Sequence, residues 1–236
     1  SGFQLNAFTS RLRWQAHFIQ KFEMESRMEF ESVNTGFIQL KKEVNSDYIN
    51  SWKKGVTGYP LVDASMRCLV QTGYLNFRMR AMVVSFFTHH LWQPWQMGAV
   101  FLGKQFLDFE PGIHYPQFQM QAGETGINML RIYNPTKNAL EHDHEGTFIR
   151  KWVPELAKLP TPFVIEPWSM TNFEQQAYNC ILGDDYPKAV IDIKETFRHA
   201  SRVLWNMKKR NPKVREENKR ILAKHTLSDR ENIMDR

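Results

Sequence analysis

Cysteine is scarce in this sequence, and long uncharged apolar runs are missing. Cys68 and Cys180 are the only two cysteines among 236 residues and stand far apart. That excludes a disulfide framework and a metal knuckle, fits a reducing, cytoplasmic setting, and makes both expected buried apolar side chains. No run of about 18 uncharged apolar residues occurs, so no membrane span is expected. The N-terminus lacks the basic-then-apolar layout of a signal peptide, and its Ser-Gly opening reads as a cloning remnant. Also absent are a phosphate-binding glycine loop, a serine-nucleophile motif and the paired carboxylates of a hydrolase. His142 and His144 flank Asp143, and His89 adjoins His90, but no cysteine or second ligand pair stands nearby, so no metal is expected. Asp143 reads instead as a helix cap.

What is present suits a globular fold. The chain is 42% hydrophobic and 13% aromatic, enough for one substantial core or two modest ones. Its formal charge of +6, from 31 basic and 25 acidic residues, favours a polyanionic partner without establishing one. Much of the excess lies in a basic tail, 208–236, where Lys208, Lys209, Arg210, Lys213, Arg215, Lys219 and Arg220 crowd together. It is either a solvated, partly frayed helix or a nucleic-acid contact.

Helical spacing dominates the pattern. Leu5, Phe8, Leu12, Ala16 and Ile19 predict a first helix with a buried stripe, reaching about to Glu25. A short helical piece follows around 48–53, then a break at Gly55, Thr57 and Gly58. Pro60 is placed to open the next helix and Gly73 to close it, and Asn76 to cap a helix over 77–87. From Pro111 to about Asp143, scattered Gly and Pro predict a long irregular loop, of the kind that more often serves function than not. Helices over 148–152 and 191–207 complete an all-α, compact multi-helix bundle with long irregular loops and no strand.

The stretch Trp95 to Glu110 stands out because a nearly unbroken apolar run ends in Asp108 and Glu110. A carboxylate in a core requires a cation or several donors. The preceding helix, equally apolar, carries Arg78 and Arg80, so one of these is the expected partner of Asp108. Such a pair is either a structural ion pair or the floor of a site for a polar cofactor.

The blocks WKKGVTGYPLVDASMRCLVQTGYLNFRMR, LWQPWQMG, LDFEPG, RIYNPTKNALEHDHEGTFIRKWVPEL and DYPKAVID resemble, in order and spacing, the C-terminal helical FAD-binding domain of the cryptochrome/DNA photolyase family. The resemblance runs from the Trp14 helix to Asp192 and implies a single helical FAD-binding domain over 1–236. In that family blue light drives electron transfer from reduced FAD to pyrimidine lesions in DNA, or the flavin signals to a protein partner in a cryptochrome-like photoreceptor. The resemblance places Phe8, Phe77, Arg80, Asp108, Glu110 and His114 at flavin-lining positions, with His114 facing the ring's N5. A histidine there can change charge near neutral pH. Trp14 matches the tryptophan on which a flipped base stacks, and Asn138 a DNA-contacting position.

Departures from the family are specific. Arg11 replaces an acid beside the substrate tryptophan, and Gln15 replaces an arginine. The family's Trp-Gln-Trp block reads Phe118-Gln119-Met120, so Met120 takes the place of a base-stacking aromatic and Phe118 that of the innermost tryptophan of the electron relay. Phe77 replaces a hydrogen-bonding Asn. Trp95 keeps the middle relay position, no tryptophan matches the outer one, and Trp92, Tyr74 and Tyr115 are substitutes to consider. This pattern indicates a divergent, bacterial-type branch. The family's flavin-phosphate loop and its N-terminal antenna domain have no counterpart before Gln4. The chain is therefore expected to be an N-terminally truncated fragment, inactive alone, that holds FAD weakly or not at all.

Overall fold

The computed structural model describes residues 2–225, so the basic tail is seen only as far as His225 and its remainder lies outside the described residues. The fold is all-helical. Among the described residues the one strand-like pairing is an isolated bridge between Leu182 and Tyr186. The described residues form two compact units, one from 2–41, 109–130 and 202–225, the other from 42–108 and 131–201.

In the first unit, α1 (Gly2–Met24) packs against α6 (Pro111–Gln121), and α12 (Pro212–His225) lies on the short 3-10 turn Thr35–Gln39. Gly112 makes the first contact possible, because a Cβ on it would stand 2.9 Å from the Ile19 Cα. Gly36 does the same for α12, where an added Cβ would meet the Val214 backbone nitrogen at 2.6 Å. Met28, Val33 and Ile221 form the local core, flanked by Phe22 and Ile127. Above it, buried Glu25 gathers Arg27 at 2.9 Å, His225 at 2.9 Å, Lys224 at 3.3 Å and Arg220.

The second unit is organised around α3 (Pro60–Thr72), whose neighbours include α2 (Ser46–Lys54), α4 (Phe77–Ser85), α7 (Pro135–His142), α8 (Thr147–Trp152) and α9 (Thr161–Ile165). Pro60 opens α3 and Gly73, at φ 69°, closes it, as the sequence predicts. Asp63 is fully buried and accepts from the Thr57 N–H and hydroxyl, the Gly58 N–H and the Tyr186 hydroxyl, at 2.6–3.0 Å. These four bonds satisfy the carboxylate and tie the 57–58 turn and the 181–186 segment to α3. Asn76 caps α4 by accepting from Met79 N–H at 3.0 Å. A single π turn, Phe86–His90, follows, and then α5 (Trp95–Gln105). The remaining helices are α10 (Asn172–Ala177) and α11 (Ile193–Arg210). Both cysteines are free and buried.

Three expectations are corrected. The stripe of α1 is not buried: Leu5, Phe8 and Leu12 are 65%, 61% and 47% exposed, and the close approach of α6 falls at Ile19, towards the other end of the helix. The 111–143 stretch is not one irregular loop but contains α6 and α7. Glu110 and Asn134 cap these helices and Pro111 and Pro135 take their first positions, so the prolines mark helix starts. The apolar run from Trp95 stops being helix at Gln105, where Phe106 turns extended, and Asp108 sits in the next turn, 56% exposed. Water thus supplies the solvation that a buried position would have denied it. The basic tail, as far as it is described, is helix, with Val214 and Ile221 of α12 buried.

Candidate functional site

The Arg80–Asp108 pair expected from the sequence forms, and the local chain fixes it. With α4 capped at Asn76, Arg80 lies one turn into the helix. Its Nε donates to the Leu75 carbonyl at 2.6 Å, and its Nη2 donates to both carboxylate oxygens of Asp108 at 2.9 Å. The guanidinium lies 3.9 Å from the centre of the Phe106 ring and 5.8 Å from that of Tyr74. Leu107 N–H donates to the Gly73 carbonyl at 3.0 Å, which binds the turn carrying Asp108 to the turn preceding α4. The guanidinium is therefore held by one carbonyl, one carboxylate and one aromatic face, a combination that fixes both its position and its plane. Phe77, one turn earlier, is 63% exposed. Arg78, the other candidate partner, is also exposed.

Within the first unit, Phe8, Arg11, Trp14 and Gln15 fall on the exposed part of α1, with successive spacings that bring Phe8, Arg11 and Gln15 to one face. Trp14 is 47% exposed and packs its inner edge against Phe18, ring centres 5.8 Å apart. Glu110 spends one carboxylate oxygen as the cap of α6, accepting from Gly112 N–H at 3.2 Å. His114 is half-buried in an aromatic cluster with Phe109, Tyr115 and Phe118, at 5.2, 5.3 and 5.7 Å between ring centres. Phe118 is buried and Met120 half-buried.

Among the relay candidates in the second unit, Trp95 is buried and Tyr74 is 60% exposed beside Arg80. Trp92 is half-buried, with its backbone at φ 54° and its ring between Lys42 Nζ at 4.9 Å and His199 at 4.8 Å. Tyr115, in the first unit, is buried and stacks on Phe22 at 5.9 Å. Asn138 is buried, and its amide donates to the Asn134 carbonyl at 2.9 Å, one turn back in α7. Asp143 caps as expected, accepting from Phe148 and Ile149 N–H at 2.9 Å. Among the described residues no group of three or more His, Cys, Asp or Glu is placed to hold a metal, and no helix is long and apolar enough to cross a membrane.

Two organising residues escaped the sequence reading. Gln119 is fully buried, accepts from Val33 N–H at 2.7 Å and donates to the Met28 and Glu31 carbonyls at 2.8 Å, so it fixes the 28–33 segment on α6 beside Phe118. Its signal was an amide between Phe118 and Met120 in an apolar helix. Glu25 collects cations that lie up to 200 residues away in sequence, and no local pattern marks it.

The fold has counterparts among known proteins. The profile of the family described as FAD binding domain of DNA photolyase matches residues 8–206. The chain belongs to that family. It is 31% identical over 192 residues to a deoxyribodipyrimidine photo-lyase of Alkalihalophilus pseudofirmus, covering 80% of this chain and 40% of the relative. It is 38% identical over 143 residues to a cryptochrome DASH of Gloeobacter violaceus, covering 60% of this chain and 29% of the relative. Among solved structures, a bacterial class III photolyase from Agrobacterium tumefaciens superposes with a TM-score of 0.82 at 26% identity, over 89% of this chain and 44% of that one. A Synechocystis cryptochrome gives 0.79 at 27%, over 84% and 41%. The chain thus spans less than half the length of these relatives.

The residues present fit the cofactor that names the family. A flavin ring offers carbonyl and ring-nitrogen acceptors, one imide N–H donor and two aromatic faces. The second unit presents a guanidinium fixed in plane, a solvent-facing carboxylate and the exposed ring of Phe77.

Proposed function

We propose that this chain is the flavin-holding domain of a photolyase-like protein that uses blue light to repair pyrimidine lesions in DNA, in the cytoplasm, the full-length protein also carrying an antenna domain. The observation that carries the reading is the Arg80–Asp108 pair, held rigid by Leu75 and Phe106 within a family of FAD-binding domains. When bound, FAD would supply the light-driven electron; the chain supplies position and charge. Arg80 and Asp108 would hold the polar edge of the ring, and Phe77 would cover an apolar part of it. Trp14 offers a face to an unstacked base, worth roughly 1–3 kcal/mol, with Arg11, Gln15 and Met120 around the substrate. Trp95 serves electron resupply, while Phe118 insulates the route a tryptophan would open.

One observation favours a second reading, a cryptochrome-like photoreceptor acting through a protein partner: an exposed cation, Arg11, and a half-buried Met120 stand at the positions the family resemblance assigns to the substrate. Illumination of the flavin-loaded full-length protein with oligonucleotides carrying cyclobutane dimers or (6-4) photoproducts separates the two. Repair requires restored pyrimidines that depend on light and fall with Trp14→Ala. No restoration of either lesion rejects the enzyme and leaves the photoreceptor.

A further inference from the structure

The protein's surplus of positive charge is confined to one place. Residues 1–201 carry 20 basic and 20 acidic side chains, whereas residues 202–225 carry nine basic and two acidic. These are the end of α11 and the whole of α12, and α12 lies beyond the residues the family profile matches. Three of the nine cations have internal work: Arg220 and Lys224 meet Glu25, and Lys208 donates to the Asn128 carbonyl. The other six, Arg202, Lys209, Arg210, Lys213, Arg215 and Lys219, are exposed.

An ordinary solvated surface interleaves both signs of charge. Here like charges crowd an ordered elbow that Asn211 builds, capping α12 through Lys213 N–H at 3.0 Å and donating to the Gln39 side chain at 3.0 Å. A cavity of about 680 Å³ opens at the elbow, lined by Asn206, Arg210, Asn211 and Lys213 among others. Close by, Trp205 is 46% exposed with Lys209 Nζ 4.8 Å from its ring centre.

We infer that the α11–α12 elbow binds the phosphate backbone of nucleic acid, independently of sequence, lesion, light and flavin. The chemistry selects this partner. Repeated cations suit a polyanion whose charges recur along a line, and an exposed tryptophan beside them offers a stacking face. An anionic membrane would need an apolar face as well, and the apolar residues Val214 and Ile221 of α12 are turned into the protein. The contact is distinct from Trp14 on α1, so it adds a non-specific grip to whatever substrate recognition the rest of the chain provides.

The test is fluorescence anisotropy of a short lesion-free DNA, single- and double-stranded, with the 236-residue protein in the dark at several salt concentrations. Joint replacement of Arg202, Lys209, Arg210 and Lys213 by Gln is expected to weaken binding about tenfold or more at low salt and to flatten the log–log salt slope by about 3. Lys151→Gln, an exposed cation on α8 outside the elbow, is expected to leave that slope unchanged. Equal affinity and slope in the quadruple variant overturn the inference. So does stronger binding to anionic lipid vesicles than to DNA, or equal displacement of DNA by polyglutamate. A second measurement needs no variant: amide exchange in the native protein should slow across 202–215 on adding duplex, and protection confined elsewhere would equally overturn it.

Discussion

At the scale of single residues, the pairing of Arg80 with Asp108 was legible because opposite charges in two apolar stretches must meet. The exposure of Asp108 was not, since only the end of α5 at Gln105 decides it. The distinction changes the energetics. A buried pair broken on one side costs roughly 3–5 kcal/mol, whereas an exposed one contributes up to about 1 kcal/mol. Asp108→Ala is therefore expected to lower Tm by no more than about 4 °C. A drop several times larger in a thermal melt would show that the carboxylate works in a dry site.

Two buried titratable groups set an acid profile. His90 is pushed down to about 4 by burial, against the opposing hydrogen bond to the Tyr133 carbonyl. Its folded value lies below the ordinary 6.5, so the unfolded chain takes the proton first and stability falls as pH drops from about 6.5 towards 4. At Glu25 burial opposes ionisation, but hydrogen bonds from Arg220 and His225 prevail and hold the carboxyl at about 2. Its contribution is complete above the ordinary 4.5 and is lost as pH falls from there towards 2. Denaturant titrations across pH should show both losses, with His90→Gln removing the upper and Glu25→Gln the lower. An unchanged profile in either variant contradicts the assignment.

At the scale of elements, starts and stops were readable where the determinant is local: Pro60, Gly73, Asn76 and Asp143 each act within a few residues of themselves. The helix α6 was hidden because Gly112 and Pro116 read as breakers. In the fold Gly112 sits in the first turn, where helix propensity matters little, and its missing side chain admits α1. The same logic governs α12. Gly36→Ala forces a Cβ against the Val214 backbone, which cannot rotate away, at a cost of about 1–3 kcal/mol. Amide exchange should rise in 212–225 and stay unchanged in α3. Equal protection in α12 would mean that the turn yields without loosening the helix.

At the scale of the whole molecule, the order and spacing of the motif blocks carried the family and the all-helical fold, because those blocks preserve the interior of a cofactor domain. The division into two units was not legible. It depends on contacts such as Asn34 with Val214 and Glu25 with His225, 180 and 200 residues apart, which no sequence period records. What joins the scales is a cationic plane prepared in advance: Leu75, Phe106 and Asp108 hold Arg80 in position before any ligand arrives. Titration of the full-length protein with FAD, followed by quenching of flavin fluorescence, tests that claim most directly. The account predicts saturation near one flavin per chain and an affinity at least about tenfold lower for Arg80→Leu, the loss of one charged hydrogen bond. Equal affinity in the two proteins would contradict it.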